Sequence, residues 1–255
     1  MNTKGELAQA FEIAGGSVTG RAHVAARRNN QDAFCWAADA DGLVAVVCDG
    51  CGSAPHSEVG AQIGSRLFAR AATRLLRANL DAADLLEQVA QDVLASLRGL
   101  AREMSADAAS FARTVADHFL FTIVGALITA RGATTFSLGD GLVAINGERT
   151  ELGPFPNNEP PYLGYALLPG VPDRGASQPV SFTIHRQIPA REVQSLVLGS
   201  DGAVELDSQL WSDDLFFKNP DIVRRRLTVL GRGARGGLLS DDTTLVVIRR
   251  KVAEG

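Results

Sequence analysis

The sequence predicts an α+β fold in which two antiparallel sheets are covered by helices, and three observations carry that expectation. Strand-length apolar runs occur towards both ends of the chain, and two long stretches of helical periodicity lie side by side between them. Strands, then paired helices, then more strands do not alternate as the units of a parallel, doubly wound sheet would. With 255 residues, 45% of them hydrophobic and 21% charged, the chain holds enough apolar material for a substantial core, in one large domain or two small ones.

Taken in order, Ser17 to Val24 and Ala33 to Trp36 suit short strands with the polar turn "RRNNQD" between them. Leu43 to Cys48 is a Val-rich apolar run bounded by "DADG" and "DG", the pattern of a strand buried on both faces. Val59, Ile63, Leu67, Phe68, Ala71 and Leu75 then recur at helical spacing, and Leu85, Leu86, Val89, Val93, Leu94 and Leu97 repeat the pattern. After them the period changes. Phe119 to Thr129, Ala133 to Leu138, and Leu142 to Ile145 beyond Gly139-Asp140-Gly141 read as an antiparallel meander. Eight of the ten prolines fall between Pro154 and Pro189, so the region of about 147–190 is either a recognition flap or a plain surface insertion. Ser181 to Ile184 and Val193 to Leu198 are strands again, Asp221 to Val229 is helical, and Thr244 to Ile248 closes the chain as a strand.

A formal net charge of -4 argues against a nucleic-acid protein held by phosphate contacts. The one basic run, Arg224, Arg225, Arg226, Arg232 and Arg235, reads as a solvated helix face followed by a glycine-rich turn. Cys35, Cys48 and Cys51 are an odd number without the spacing of a disulfide framework, which points to a reducing compartment. Cys48 and Cys51 form a C-x-x-C, but no second ligand pair follows to make a zinc site. The opening "MNTKGELAQAFEIAGG" lacks the apolar core of a signal peptide, and no stretch has the length of a membrane span, so a soluble, cytoplasmic protein is expected.

Carboxylates stand at the ends of the runs that should form the core. Asp49 ends "LVAVVCDG", Asp201 ends "QSLVLGSDG", Asp241 and Asp242 precede "TTLVVI", and Asp32 sits at a strand boundary in "NNQDAF". A single Asp-Gly is a turn signal, and Asp39, Asp41 and Asp207 read that way. Several strand-end carboxylates that converge would repel one another unless cations lay between them, and an all-oxygen set with few histidines suits Mg²⁺ or Mn²⁺.

The ordered fragments "ARRNNQDA", "VCDGCGS", "SLGDG", "LGSDG" and "SDDTTLVVI", spanning Gly20 to Ile248, resemble the successive signatures of the type 2C metal-dependent Ser/Thr protein phosphatases, closest to their compact bacterial branch. The resemblance implies a single domain over 1–255, a four-layer α-β-β-α sandwich, and metals in the cleft between the ends of the two sheets. It implies hydrolysis of phosphoserine or phosphothreonine on proteins by direct attack of a hydroxide bridging two Mn²⁺ or Mg²⁺ ions. Asp49 matches the carboxylate bridging both ions, Gly50 the carbonyl ligand of one, and Asp201 and Asp241 ligands of the other. Asp32 matches a carboxylate acting through metal-bound water. Arg27, five positions before Asp32, matches the arginine gripping the substrate phosphate, with Arg28 as the fallback. Asp117, five residues before Thr122, matches a third-metal aspartate, although "LFT" stands where relatives have "GTT".

Asp140 matches a family "GD" read as structural. Three departures stand out. Cys51 takes a place where animal relatives carry a histidine, a poor exchange for a proton donor at neutral pH. His56 reads as the start of the following helix. Gln31 replaces a common glutamate, and "GPFPNNEPPYLGY" replaces a "DH" segment. The implied partners are a phosphorylated protein and a cognate Ser/Thr kinase, with the chain a monomer contacting neither nucleic acid nor membrane. The alternatives are a catalytically weak relative that binds a phosphoprotein or senses a signal, and a phosphatase of small phosphoesters.

Overall fold

The structure, a computed structural model, describes residues 9–78, 80–168, 181–212, 214–219, 221–232 and 239–251. Its strands are β1 (Phe11–Val18), β2 (Asp32–Asp39), β3 (Gly42–Asp49), β4 (Ile123–Thr129), β5 (Gly132–Leu138), β6 (Gly141–Ile145), β7 (Glu148–Leu152), β8 (Thr183–Ile188), β9 (Ser195–Gly199) and β10 (Thr243–Arg250). Its helices are α1 (Arg21–Ala26), α2 (Ser57–Leu75), α3 (Ala82–Glu103), α4 (Ala108–His118) and α5 (Ile222–Gly231). The strands form two antiparallel five-stranded sheets, in the orders β1-β10-β9-β6-β7 and β2-β3-β4-β5-β8.

The period-2 side-chain alternation of the central strands builds the layers. In β3, Val44, Val46 and Cys48 join Phe68, Leu86, Val93 and Leu97 of α2 and α3 in one apolar cluster. The intervening Leu43, Ala45 and Val47 join Leu196, Leu198, Val246 and Ile248 of the other sheet. In β10 the alternation continues outward, Leu245 and Val247 meeting Val223 and Leu227 of α5. Helices, sheet, sheet and helix therefore stack as the four-layer α-β-β-α sandwich. Strands buried on both faces explain why β3 and β4 read as unbroken apolar runs.

The structure corrects four local expectations. The first strand is Phe11–Val18, not Ser17 to Val24, and Arg21–Ala26 is helical. Gly15 and Gly16 hide that strand in the sequence. A Cβ on Gly15 would lie 2.9 Å from the Phe34 ring, and one on Gly16 2.4 Å from the Arg224 amide, so tertiary neighbours require the glycines. The meander stops after β5. Gly139 and Gly141, at φ 101° and 138°, turn the chain into the other sheet, where β6 pairs with β9 and β7. β7, "ERTEL", opens the expected flap region as a polar edge strand that periodicity does not flag. α4 lies outside the expected elements, although Asp107 and Ser110 form a capping box at its start. Within the flap, 169–180 lie outside the described residues, as does Arg235 of the basic run.

Candidate metal centre

The expected strand-end aspartates gather where the two sheets meet at one end. Asp32 opens β2 directly opposite Asp49, the last residue of β3. Asp201 begins the turn after β9, and Asp241 precedes β10, which pairs with β9. Asp49 and Asp201 lie within hydrogen-bonding reach of each other, and Asp49 also feels the charges of Asp32 and Asp241. The pairing of β2 with β3 and of β9 with β10 thus brings together carboxylates far apart in sequence.

Their electrostatics are those of acids crowded without counter-charge. Burial pushes Asp32 up from its ordinary 3.8 to about 7, assisted by the Asp242 charge and opposed by the hydroxyl bonds of Ser200 and Thr244. Burial, then the charges of Asp32 and Asp201, hold Asp49 well above the carboxylate range. Asp201 is raised by burial and by Asp241. Among the described residues, no ion pair forms to Asp32, Asp49, Asp201 or Asp241. Asp32 Oδ1, Asp201 Oδ1 and Gln31 Oε1 are buried with no hydrogen-bond partner. Orphaned oxygens on converging acids fit a hard divalent cation, which supplies the charge and the ligand field they lack.

Backbone geometry fits the same use. Gly50 faces Phe121 in an isolated bridge whose bonds run from the Cys51 amide to the Leu120 carbonyl and from the Thr122 amide to the Asp49 carbonyl. The Gly50 carbonyl accepts no bond among the described residues. A Cβ at Gly50 would sit 2.7 Å from Ser57 Oγ and 2.9 Å from the Gln31 carbonyl, so the turn after Asp49 closes only around glycine.

Several residues that the sequence did not mark as ligands support the site. Ser200 donates to Asp32 Oδ2 at 2.7 Å and accepts the Thr244 amide at 3.0 Å, locking one carboxylate oxygen while leaving the other free. Asp242, 2% exposed, accepts from the Gly20 amide (2.7 Å) and the Gln31 amide (2.6 Å) and pairs with His23 Nδ1 (2.8 Å). His23, Asp241 and Asp242 do cluster with ligand atoms within 4.8 Å. The oxygens of Asp242 are nevertheless committed to those donors, which makes it a tie between β10 and the approach to Asp32. Tyr162 is buried beside Cys51, and its phenol is raised by burial and by Cys51. Asp140, pushed up to about 6 by burial and then by the Asp201 charge, also belongs to this field. The signals were present for Asp140 in "GDG" and for Asp242 in "SDD"; nothing local marks Tyr162.

A family model described as Protein phosphatase 2C matches residues 19–230. The chain belongs to that family. Its fold is that of bacterial members of known structure. A bacterial serine phosphatase is 17% identical, with 96% of this chain and 100% of that one covered at a TM-score of 0.57. The Ser/Thr phosphatase Stp1 from Staphylococcus aureus is 18% identical, with 95% and 96% covered at 0.56. The catalytic domain of the Ser/Thr protein phosphatase PstP, in complex with two manganese ions, is 20% identical, with 94% and 97% covered at 0.54. No curated protein matches the chain.

The remaining type 2C positions fall as follows. Arg27 ends α1 at φ 56°, exposed, and its guanidinium makes no hydrogen bond or ion pair with another described residue. Arg28 is occupied instead, donating to the Gly52 and Ala54 carbonyls of the loop after Gly50. Asp117 lies in the last turn of α4, where its carbonyl accepts the His56 amide at 3.0 Å, while the His56 and His118 rings lie tilted to each other with centroids 5.0 Å apart. Among the described residues, no helix is long and apolar enough to cross a membrane.

Proposed function

We propose that the chain is an active metal-dependent phosphatase that hydrolyses phosphoserine and phosphothreonine on proteins. The observation that carries this reading is the convergence of Asp32, Asp49 and Asp201, with orphaned oxygens on Asp32 and Asp201 and no counter-cation among the described residues. Asp49, Asp201, Asp241 and the Gly50 carbonyl would hold two divalent cations, Mn²⁺ or Mg²⁺, with Asp32 behind them. Bound there, such ions lower the pKa of a water for attack on phosphorus and neutralise charge on the transferring group. Asp32, with Oδ2 fixed by Ser200, offers Oδ1 as an acceptor that orients that water. Arg27, without another partner among the described residues, donates parallel hydrogen bonds to phosphate oxygens.

Asp117 and Asp140 are the two candidates for a third ion. Phosphorylated proteins are the natural substrates on this reading, with a Ser/Thr kinase supplying them.

The test is hydrolysis of p-nitrophenyl phosphate and of a phosphothreonine peptide with Mn²⁺, Mg²⁺ or EDTA, beside Asp201→Asn. Turnover that disappears in EDTA and falls at least about a hundredfold in the variant is expected. Folded protein that turns over neither substrate in excess metal would replace this reading with phosphoprotein binding.

A further inference from the structure

Beside the carboxylate cleft runs a groove of about 600 Å³ between α1 and α5, basic where the chain as a whole is acidic. Arg21 of α1, Arg224 of α5 and Arg232 just beyond it line the groove, with Val24, Leu227 and Asn30. Among the described residues Arg224 pairs only with Asp221, the exposed residue just before its own helix, at 3.4 Å. The guanidiniums of Arg21 and Arg232 meet no carboxylate among the described residues. Val24 is 62% exposed, a large apolar side chain left open at the wall. The basic run in the sequence is thus not only a solvated helix face, because Arg224 and Arg232 turn towards a cavity.

The groove adjoins the cleft through residues that the two share or bond. The Asn30 side chain donates to Ser17 Oγ at 2.7 Å, and its Oδ1 accepts the Asp32 amide at 2.9 Å. The Arg21 and Ala22 amides donate to the Leu239 and Ser240 carbonyls at 3.3 and 3.0 Å, immediately before Asp241. α1 itself leads from Arg21 to Arg27.

We propose that this groove docks an acidic segment flanking the phosphorylated residue of the substrate protein. Aspartate and glutamate side chains are read by Arg21, Arg224 and Arg232, and one apolar side chain rests on Val24. The inference rests on the phosphatase reading, which explains why the segment arrives phosphorylated. A protein of net charge -4 repels acidic partners at long range, so a local basic groove is what such a substrate requires. Guanidinium forks suit carboxylates geometrically, and exposed pairs of this kind set preference and salt dependence.

The test compares two phosphothreonine peptides of equal length, one flanked by glutamates and one by lysines, with p-nitrophenyl phosphate as a substrate too small to reach the groove. At low salt the glutamate peptide is expected to have a kcat/KM about tenfold higher, through KM, and to lose the advantage as salt rises. Arg21→Glu combined with Arg232→Glu should erase the preference and leave p-nitrophenyl phosphate turnover unchanged. Equal use of both peptides by the wild type, or a preference that survives in the double variant, overturns the proposal. Displacement of the glutamate peptide by oligothymidylate at equal concentration does so too, since it would mark a general polyanion surface. Fluorescence anisotropy of the same peptides in EDTA repeats the comparison without turnover. Failure to hydrolyse p-nitrophenyl phosphate would therefore count against the phosphatase reading alone.

Discussion

Neutralising Asp32 should stabilise the protein when no metal is present, the reverse of what deleting a buried, hydrogen-bonded group normally does. Asp32 is 2% exposed and raised from 3.8 to about 7, chiefly by burial. A carboxylate whose folded value lies above its unfolded one favours the native state below the unfolded value, and that advantage is lost as pH rises through the folded value. At 1.36 kcal/mol for each tenfold change in proton affinity, the ionised side chain costs the metal-free protein about 4 kcal/mol above pH 7 and about 2 kcal/mol at pH 5. Asp32→Asn keeps an oxygen for the Ser200 hydroxyl and removes the charge. In EDTA at pH 8 the variant should therefore unfold up to about 4 kcal/mol later than the wild type, roughly 8–16 °C for a domain of this size, with the gap narrowing at pH 5. Saturating Mn²⁺ should reverse the order, because the wild type recovers the cost on binding and the variant does not. Thermal unfolding followed by circular dichroism at both pH values reads all of this. A variant no more stable than wild type at pH 8 without metal would refute the account of a cleft destabilised by its own uncompensated charge.

Two further outcomes follow from named contacts. Gly50→Ala drives a methyl into Ser57 Oγ and the Gln31 carbonyl, so urea unfolding should show a loss of about 1–3 kcal/mol together with weaker Mn²⁺ binding by calorimetry. Asp242→Ala strands the Gly20 and Gln31 amides and should cost about 3 kcal/mol in the same assay, whereas Asp242→Asn, which keeps an acceptor, should cost clearly less; equal losses would show that these hydrogen bonds do not hold β10 to the approach of Asp32.

Local pattern sufficed wherever one strand or helix decides its own character. The unbroken run Leu43 to Cys48 could only be a strand covered on both faces, and α2 and α3 display their buried stripes at helical spacing. The site aspartates were legible for the same reason, since each is a charge standing at the edge of a buried run. Where a neighbour from elsewhere in the chain decides, the local pattern misleads. Gly15 and Gly16 weaken β1 on paper because Phe34 and Arg224 occupy the space, and the switch at Gly139 to Gly141 looks like an ordinary hairpin turn.

By itself, then, the sequence determined most of the strands, the two long helices, and a set of acids that make sense only together. Tertiary structure alone decided which acids share a field, that Asp242 is a tie while Asp32 keeps a free oxygen, that Arg28 is committed to a loop while Arg27 is not, and that Arg21 and Arg232 line one groove. The physical reason is separation along the chain. Asp242 meets the Gln31 amide across 211 residues, and hydrogen bonds and charge interactions depend on distance in space, which periodicity and spacing do not encode.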